Sequence, residues 1–148
     1  MKVEKILKQK GTIYSIHPGK SVCEAAKLMV EKRIGALMVL DDEENIIGII
    51  TERDVLRRCA VVRGDMQCAP VQEIMTPKED IITANKECDL RHVMNIMTEN
   101  NIRHIPILDN DTLVGFISIR DVVKILLQDA EIENKQLMDY MASTGTYI

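Results

Sequence analysis

Apolar residues at Val22, Ala25, Ala26 and Met29 fall at i, i+3, i+4 and i+7. That spacing turns one face of a helix toward a core. Leu90, Val93, Met94 and Met97 repeat it. Ser21 and Asp89 stand one residue ahead of each stripe, where a side-chain oxygen caps a helix start. After each helix comes a short apolar run, residues 36–40 and 104–108, that reads as a buried strand. Polar turns follow at 41–45 and 109–111, and apolar runs return at 46–50 and 113–117, so each pair reads as a hairpin. Residues 12–16 and 80–84 look extended. Second helices start at Glu52 and Ile119. Gly48 and Gly115 interrupt strands, which points to a bulge or to another backbone passing close by.

Both halves therefore spell strand, helix, strand, strand, helix, and their residues agree as well. Val3, Ile6, Ile13, Glu31, Ile34, Leu40 and Asp41 recur about 68 residues later as Val71, Ile74, Ile81, Glu99, Ile102, Leu108 and Asp109. One residue is then lost. Gly48-Ile49-Ile50-Thr51-Glu52-Arg53-Asp54-Val55 is answered by Gly115-Phe116-Ile117-Ser118-Ile119-Arg120-Asp121-Val122. The organisation expected is a first repeat over 1–62, a linker over 63–70, a second repeat over 71–130, and an added amphipathic helix and tail over 131–148. Gly64 and Pro70 break the linker. Residues 71–75 mirror 3–7 as a short lead-in helix stopped at Thr76-Pro77, and 143–146 are expected to fray. A repeat of about sixty residues is marginal alone, so two sharing a core are expected. Symmetric halves tend to meet along a cleft.

Composition narrows the function. Hydrophobic residues make up 46% but aromatics only 3%, so Ile, Val, Leu and Met must fill the core, and the nine methionines read as core filler. The net charge of −4 argues against general binding to nucleic acid or to anionic membranes. No apolar run reaches the ~18 residues of a membrane span. The opening Met1-Lys2-Val3-Glu4-Lys5 has no signal-peptide character, and a cytoplasmic protein is expected. Cys23, Cys59, Cys68 and Cys88 form no metal-binding spacing and read as reduced, unpaired thiols; no metal site is expected.

The pattern with candidate chemistry is Thr51-x-x-Asp54 with its echo Ser118-x-x-Asp121, each where a strand becomes a helix. Two readings fit. One is a capping box, which duplication would copy as readily as anything else. The other is a clasp: a carboxylate beside a hydroxyl suits the paired donors of a ribose diol, free N–H groups at the helix start favour a phosphate, and Ile/Val/Leu strands wall a flat base. Arg103-His104, ahead of Ile105-Pro106, adds a guanidinium able to hold a phosphate in a fork. The first repeat has Gly35-Ala36 there, so the two sites are unequal. The second would grip phosphates; the first would be open, or would draw on Arg53, Arg33 or Lys20.

At these residues the chain resembles a tandem pair of CBS domains, the module named for cystathionine β-synthase, from Val3 to about Gln128. The stretches that carry the resemblance are residues 34–39 and 48–54 in the first repeat and 102–107 and 115–121 in the second. The tail is similar to that of small stand-alone CBS-pair proteins. The resemblance implies an α/β (α+β) fold of two β-α-β-β-α units packed as a pseudo-twofold pair plus a C-terminal helix. It implies clefts between the repeats for adenosine compounds: AMP, ADP, ATP, NAD or S-adenosylmethionine. Asp54 and Asp121 would take the ribose, with Thr51, Arg53, Ser118 and Arg120 beside them. The first strands, with Ser15 and Thr83, would line the base. Gly35, Ala36 and Leu37, and Arg103, His104, Ile105 and Pro106, would meet base and phosphate. It also implies a homodimer formed through the helices and a regulated partner such as an enzyme or transporter.

Three functions compete. The first is a regulatory sensor of adenosine nucleotides with no catalytic cofactor. The second is a structural dimerisation or adaptor protein with degenerate sites. The third is an enzyme. His17, His92 and His104 are the only histidines. None lies near a recognisable nucleophile motif, and there is no P-loop. The sequence reads as a sensor and not an enzyme.

Overall fold

The computed structural model describes residues 1–8, 11–61 and 69–145. The chain divides into two compact units, Gly11–Thr83 and Met1–Lys10 with Ala84–Ile148. These boundaries differ from those of the repeats, and the short lead-in segments account for the difference.

In the first unit the chain runs through β1 (Ser15–Ile16), α2 (Val22–Lys32), β2 (Ala36–Leu40), β3 (Ile46–Thr51), α3 (Glu52–Val61), a 3-10 turn (Val71–Glu73), β4 (Thr76–Pro77) and a second 3-10 turn (Lys78–Asp80). Its sheet has the order β1-β2-β3-β4, with β1 parallel to β2 and the other pairs antiparallel. Helix α2 begins in a reciprocal cap: the Glu24 amide donates to Ser21 Oγ (3.1 Å) and the Ser21 amide to Glu24 Oε2 (2.9 Å). It ends on Arg33 in the left-handed region (φ 55°). Ala25, Met29, Leu37, Val39, Ile50 and Val71 form the core. Leu37 and Ile50 are fully buried, each worth about 2 kcal/mol over the exposed state.

The second unit holds α1 (Val3–Leu7), β5 (Ala84–Asn85), α4 (Leu90–Glu99), β6 (His104–Asp109), β7 (Thr112–Ser118) and α5 (Ile119–Thr144). Its sheet order is β5-β6-β7, the first pair parallel and the second antiparallel. The hairpin turn uses Asn110 (φ 47°) and Asp111 (φ 65°), both left-handed, as a two-residue loop of this kind demands. Leu90, Val93, Met97, Ile105, Ile107, Ile117 and Val122 form the core.

Each lead-in packs with the opposite repeat. Val3 and Ile6 of α1 lie in the core of the second repeat, and Val71 lies in that of the first. Matching hydrogen bonds hold both. The Val3 amide donates to Cys88 O (3.0 Å) and the Leu90 amide to Met1 O (2.8 Å). Correspondingly, Val71 donates to Lys20 O (2.8 Å) and Val22 to Ala69 O (2.9 Å). The two glycines explain themselves here. A Cβ on Gly48 would lie 2.5 Å from Met75 Sδ and 2.7 Å from the Thr76 carbonyl, and one on Gly115 would collide with Leu7. A bulge sits beside each glycine: the register shifts between Val39 and Leu40 opposite Gly48, and between Ile107 and Leu108 opposite Gly115.

Several sequence expectations change. The helix expected after Asp129 is not separate. No Gly or Pro interrupts residues 119–144, so α5 continues to Thr144 and stops at Gly145 in the left-handed region (φ 67°). Ser143 and Thr144 belong to that helix, while Thr146 lies outside the described residues. The lead-in at 71–75 is a single 3-10 turn. The extended segments shrink to the two-residue strands β1 and β5, and Asp80 closes a 3-10 turn set up by Pro77 (φ −69°). Most of the linker, with Gly64 and Cys68, lies outside the described residues.

Candidate functional site

The two Ser/Thr-x-x-Asp motifs have the same geometry. At the head of α3, the Thr51 amide (2.8 Å) and hydroxyl (3.0 Å) both donate to Asp54 Oδ2, and the Asp54 amide returns a bond to Thr51 Oγ1 (3.2 Å). At the head of α5, the Ser118 amide (2.8 Å) and hydroxyl (2.9 Å) donate to Asp121 Oδ2, and the Asp121 amide donates to Ser118 Oγ (3.2 Å). Both motifs are thus complete capping boxes. The cap draws on one carboxylate oxygen, and a carboxylate offers about four acceptor positions. All four residues are half-buried.

The strand entries lie directly beside these caps. Ala36 pairs with Thr51 and His104 with Ser118. The first amide of each helix is anchored on the residue before: Glu52 N–H donates to Gly35 O (3.0 Å) and Ile119 N–H to Arg103 O (2.8 Å). So Gly35, Ala36, Thr51, Arg53 and Asp54 come together in the first unit, and Arg103, His104, Ser118, Arg120 and Asp121 in the second. Leu37, Ile105 and Pro106 also sit there, with their side chains buried. Ser15 is exposed on β1, opposite Met38 of β2. Thr83 is exposed and immediately precedes β5, whose Ala84 pairs with Ile107.

Two features were missed in the sequence. The His104 ring stacks on Phe116, with centroids 5.6 Å apart and planes 12° apart. Their positions on β6 and β7, two residues out of register, allow it; the signal was an aromatic on the strand facing a histidine. The other is Glu52, which puts a second acid in the first turn of α3 where α5 has only Asp121. Of the cations that the first site was expected to borrow, Lys20 Nζ lies 3.9 Å from Glu24. Arg33 is exposed at the end of α2.

No group of three or more His, Cys, Asp or Glu side chains that would hold a metal occurs among the described residues. Cys23, Cys59 and Cys88 are free thiols. No helix among the described residues is long and apolar enough to cross a membrane.

The CBS-domain family model matches residues 7–61 and 71–128. The chain belongs to the CBS-domain family. It is 35% identical over 123 residues to the mitochondrial CBS domain-containing protein CBSX3 of Arabidopsis thaliana, covering 82% of this chain and 60% of that one. The chain thus spans little more than half the length of that relative. A CBS-domain protein from Burkholderia ambifaria superimposes with a TM-score of 0.81 at 40% identity, covering 87% of this chain and 96% of the other. The CBS domain pair of protein MJ0100, solved with 5′-methylthioadenosine and S-adenosylmethionine, gives a TM-score of 0.75 at 27% identity, covering 87% and 98%. The fold is the mixed α/β arrangement of CBS pairs.

Proposed function

We propose that this protein is a regulatory module that binds adenosine compounds at the head of α3 and of α5 and passes their presence to a partner protein. The observation that carries the reading is the duplicated carboxylate cap with a strand entry anchored on the same helix start. Adenosine ligands are supported by the MJ0100 complex. The candidates are AMP, ADP, ATP, NAD and S-adenosylmethionine. Asp54 and Asp121 take the ribose, Arg103 takes a phosphate, and the site binds without turning its ligand over. A ligand shifts a partner's state only through unequal affinity for two arrangements of the module.

Replacing Asp121 with Ala is expected to weaken adenylate binding at least tenfold by titration calorimetry, with far-UV dichroism unchanged. The lost cap costs about 1 kcal/mol. Unchanged affinity reduces Asp121 to a cap.

One observation favours a second reading. Both carboxylates satisfy their own helix starts, as they would in an adaptor with no ligand. A thermal-shift screen with AMP, ATP, NAD and S-adenosylmethionine separates the two, because any ligand confined to the native state raises Tm.

A further inference from the structure

Helix α5 outruns the unit it belongs to. Its buried residues, Val122 and Ile125, lie in its first two turns, and residues 131–140 are all exposed. A helical segment of that kind is marginal in water unless an apolar face is covered. Such a face runs the length of the helix. Val123, Leu127, Ala130, Asn134, Leu137 and Met141 follow one another at alternating steps of four and three, the spacing of a seam between two supercoiled helices. Val123 is 55% exposed and Leu127 and Leu137 are each 59% exposed; Ala130 and Asn134 are exposed too, and Met141 is half-buried. The seam shares no residue with the core face of α5. Met138 and Tyr140 border it, and Ile132 stands on the opposite side and takes no part. Val123 and Leu127 lie within the second repeat, so the seam starts on the folded unit and runs out along the tail.

We infer that this seam pairs with the same seam of a second copy of the chain, as a parallel two-stranded coil that fixes the direction in which two copies associate. The inference does not depend on the adenosine reading. The regular spacing selects a helix of like period as the occupant. Asn134 selects the second copy and its direction. Leu127, Asn134 and Met141 take the a positions of the heptad, and Val123, Ala130 and Leu137 the d positions. In a parallel pair a faces a, so Asn134 of one copy meets Asn134 of the other, an amide donor against an amide oxygen. In an antiparallel pair a faces d. Asn134 would then lie against Ala130 or Leu137, and its amide would be buried without a partner. Charge fits the same arrangement. The tail is acidic, with Asp129, Glu131, Glu133 and Asp139 against Lys135. Across a parallel seam Leu126 of one copy flanks Glu131 of the other, and Glu133 flanks Met138, so no two acids meet at the edges.

Cross-linking of the full chain under a mild oxidant tests the seam. In a parallel pair in register every d position faces itself, so Ala130→Cys and Leu137→Cys are each expected to give a covalent dimer on a non-reducing gel. Lys135→Cys, on the outer side of the coil, should give no more than the wild type with its own thiols. A disulfide needs Cα atoms within about 7 Å, so the seam variants should exceed these controls by at least about fivefold. Leu137→Glu introduced beside Ala130→Cys is expected to abolish that excess, because it places two carboxylates in the seam. All three cysteine positions are exposed and lie beyond the core, so the variants are expected to fold. Cross-linking at only one of the two d positions is the mark of an antiparallel or crossing pair and overturns the inference. So does cross-linking at neither, an equal yield from Lys135→Cys, or a yield from Ala130→Cys that Leu137→Glu leaves unchanged.

Discussion

At the scale of the residue, short polar side chains and backbone amides fix where helices begin and turns close, and two of the carboxyls they engage are shifted. The Ser21 amide, donating to Glu24, holds that carboxyl below the usual range, and the Asn45 amide does the same for Asp41. A carboxyl depressed in the folded state adds stability at pH values above its unfolded pKa, and that stability is lost as pH falls through the lower folded value. The melting temperature should therefore hold steady through neutral pH and drop on the acid side of the ordinary carboxylate range. Glu24→Gln keeps an acceptor for the cap but does not titrate. Thermal melts of this variant should lie slightly below the wild type near pH 7 and converge with it in acid, which makes its acid limb shallower; an identical limb contradicts the assignment. Both Glu24 and Asp41 are surface groups, so the effect is small and salt-sensitive. Residue reading was strongest here: Ser21, Asp89, Thr51 and Ser118 were all legible as caps, because a cap is a local event written in four consecutive residues. The stacking of His104 on Phe116 needed strand register as well, and the sequence states register only through the hairpin turn.

At the scale of the element, the central fact is the exchange of lead-ins. The sequence shows that 3–7 and 71–75 are copies, but a short amphipathic segment fits the core of either repeat, so the pattern cannot say which one it enters. The glycines carry the trace of the answer. Gly48 is pressed by Met75 and the Thr76 backbone, and Gly115 most closely by the Leu7 side chain. Substitution by Ala should cost about 1–3 kcal/mol at each, the usual range for overpacking. The rescue differs. Leu7→Ala should relieve Gly115→Ala, giving a coupling of about 1 kcal/mol in a double-mutant cycle. Met75→Ala should leave most of the penalty of Gly48→Ala in place, because the Thr76 carbonyl cannot be trimmed. Denaturant melts of the six variants check this; equal rescue in both units contradicts it. The continuity of α5 was hidden for a different reason. The apolar spacing changes after Asp129, which suggested a new element, yet helix continuity depends on the absence of breakers and not on an unbroken apolar stripe.

At the scale of the whole molecule, the apolar surface left exposed bears on assembly. Helix α3 buries none of its residues and exposes Leu56 and Val61; α2 exposes Val30, and α5 exposes Val123 and Leu127. These residues are candidates for the homodimer through the helices that the family resemblance implies. Light scattering should give a mass twice the 16.8 kDa of the chain, and a monomer at micromolar concentration contradicts it. Fold class and repeat architecture were legible because the main strands and helices are stated twice, and agreement between copies removes most of the ambiguity of a single short strand. The boundaries of the compact units were not, since chain order and packing order part company at the lead-ins. The central claim is that the carboxylate-capped helix starts hold adenosine compounds, and an amide chemical-shift titration of the full chain with AMP tests it most directly. Perturbations should cluster at residues 103–106 and 118–122 and saturate with a single affinity. Spectra unchanged by AMP, or changes confined to surfaces away from both caps, contradict the account.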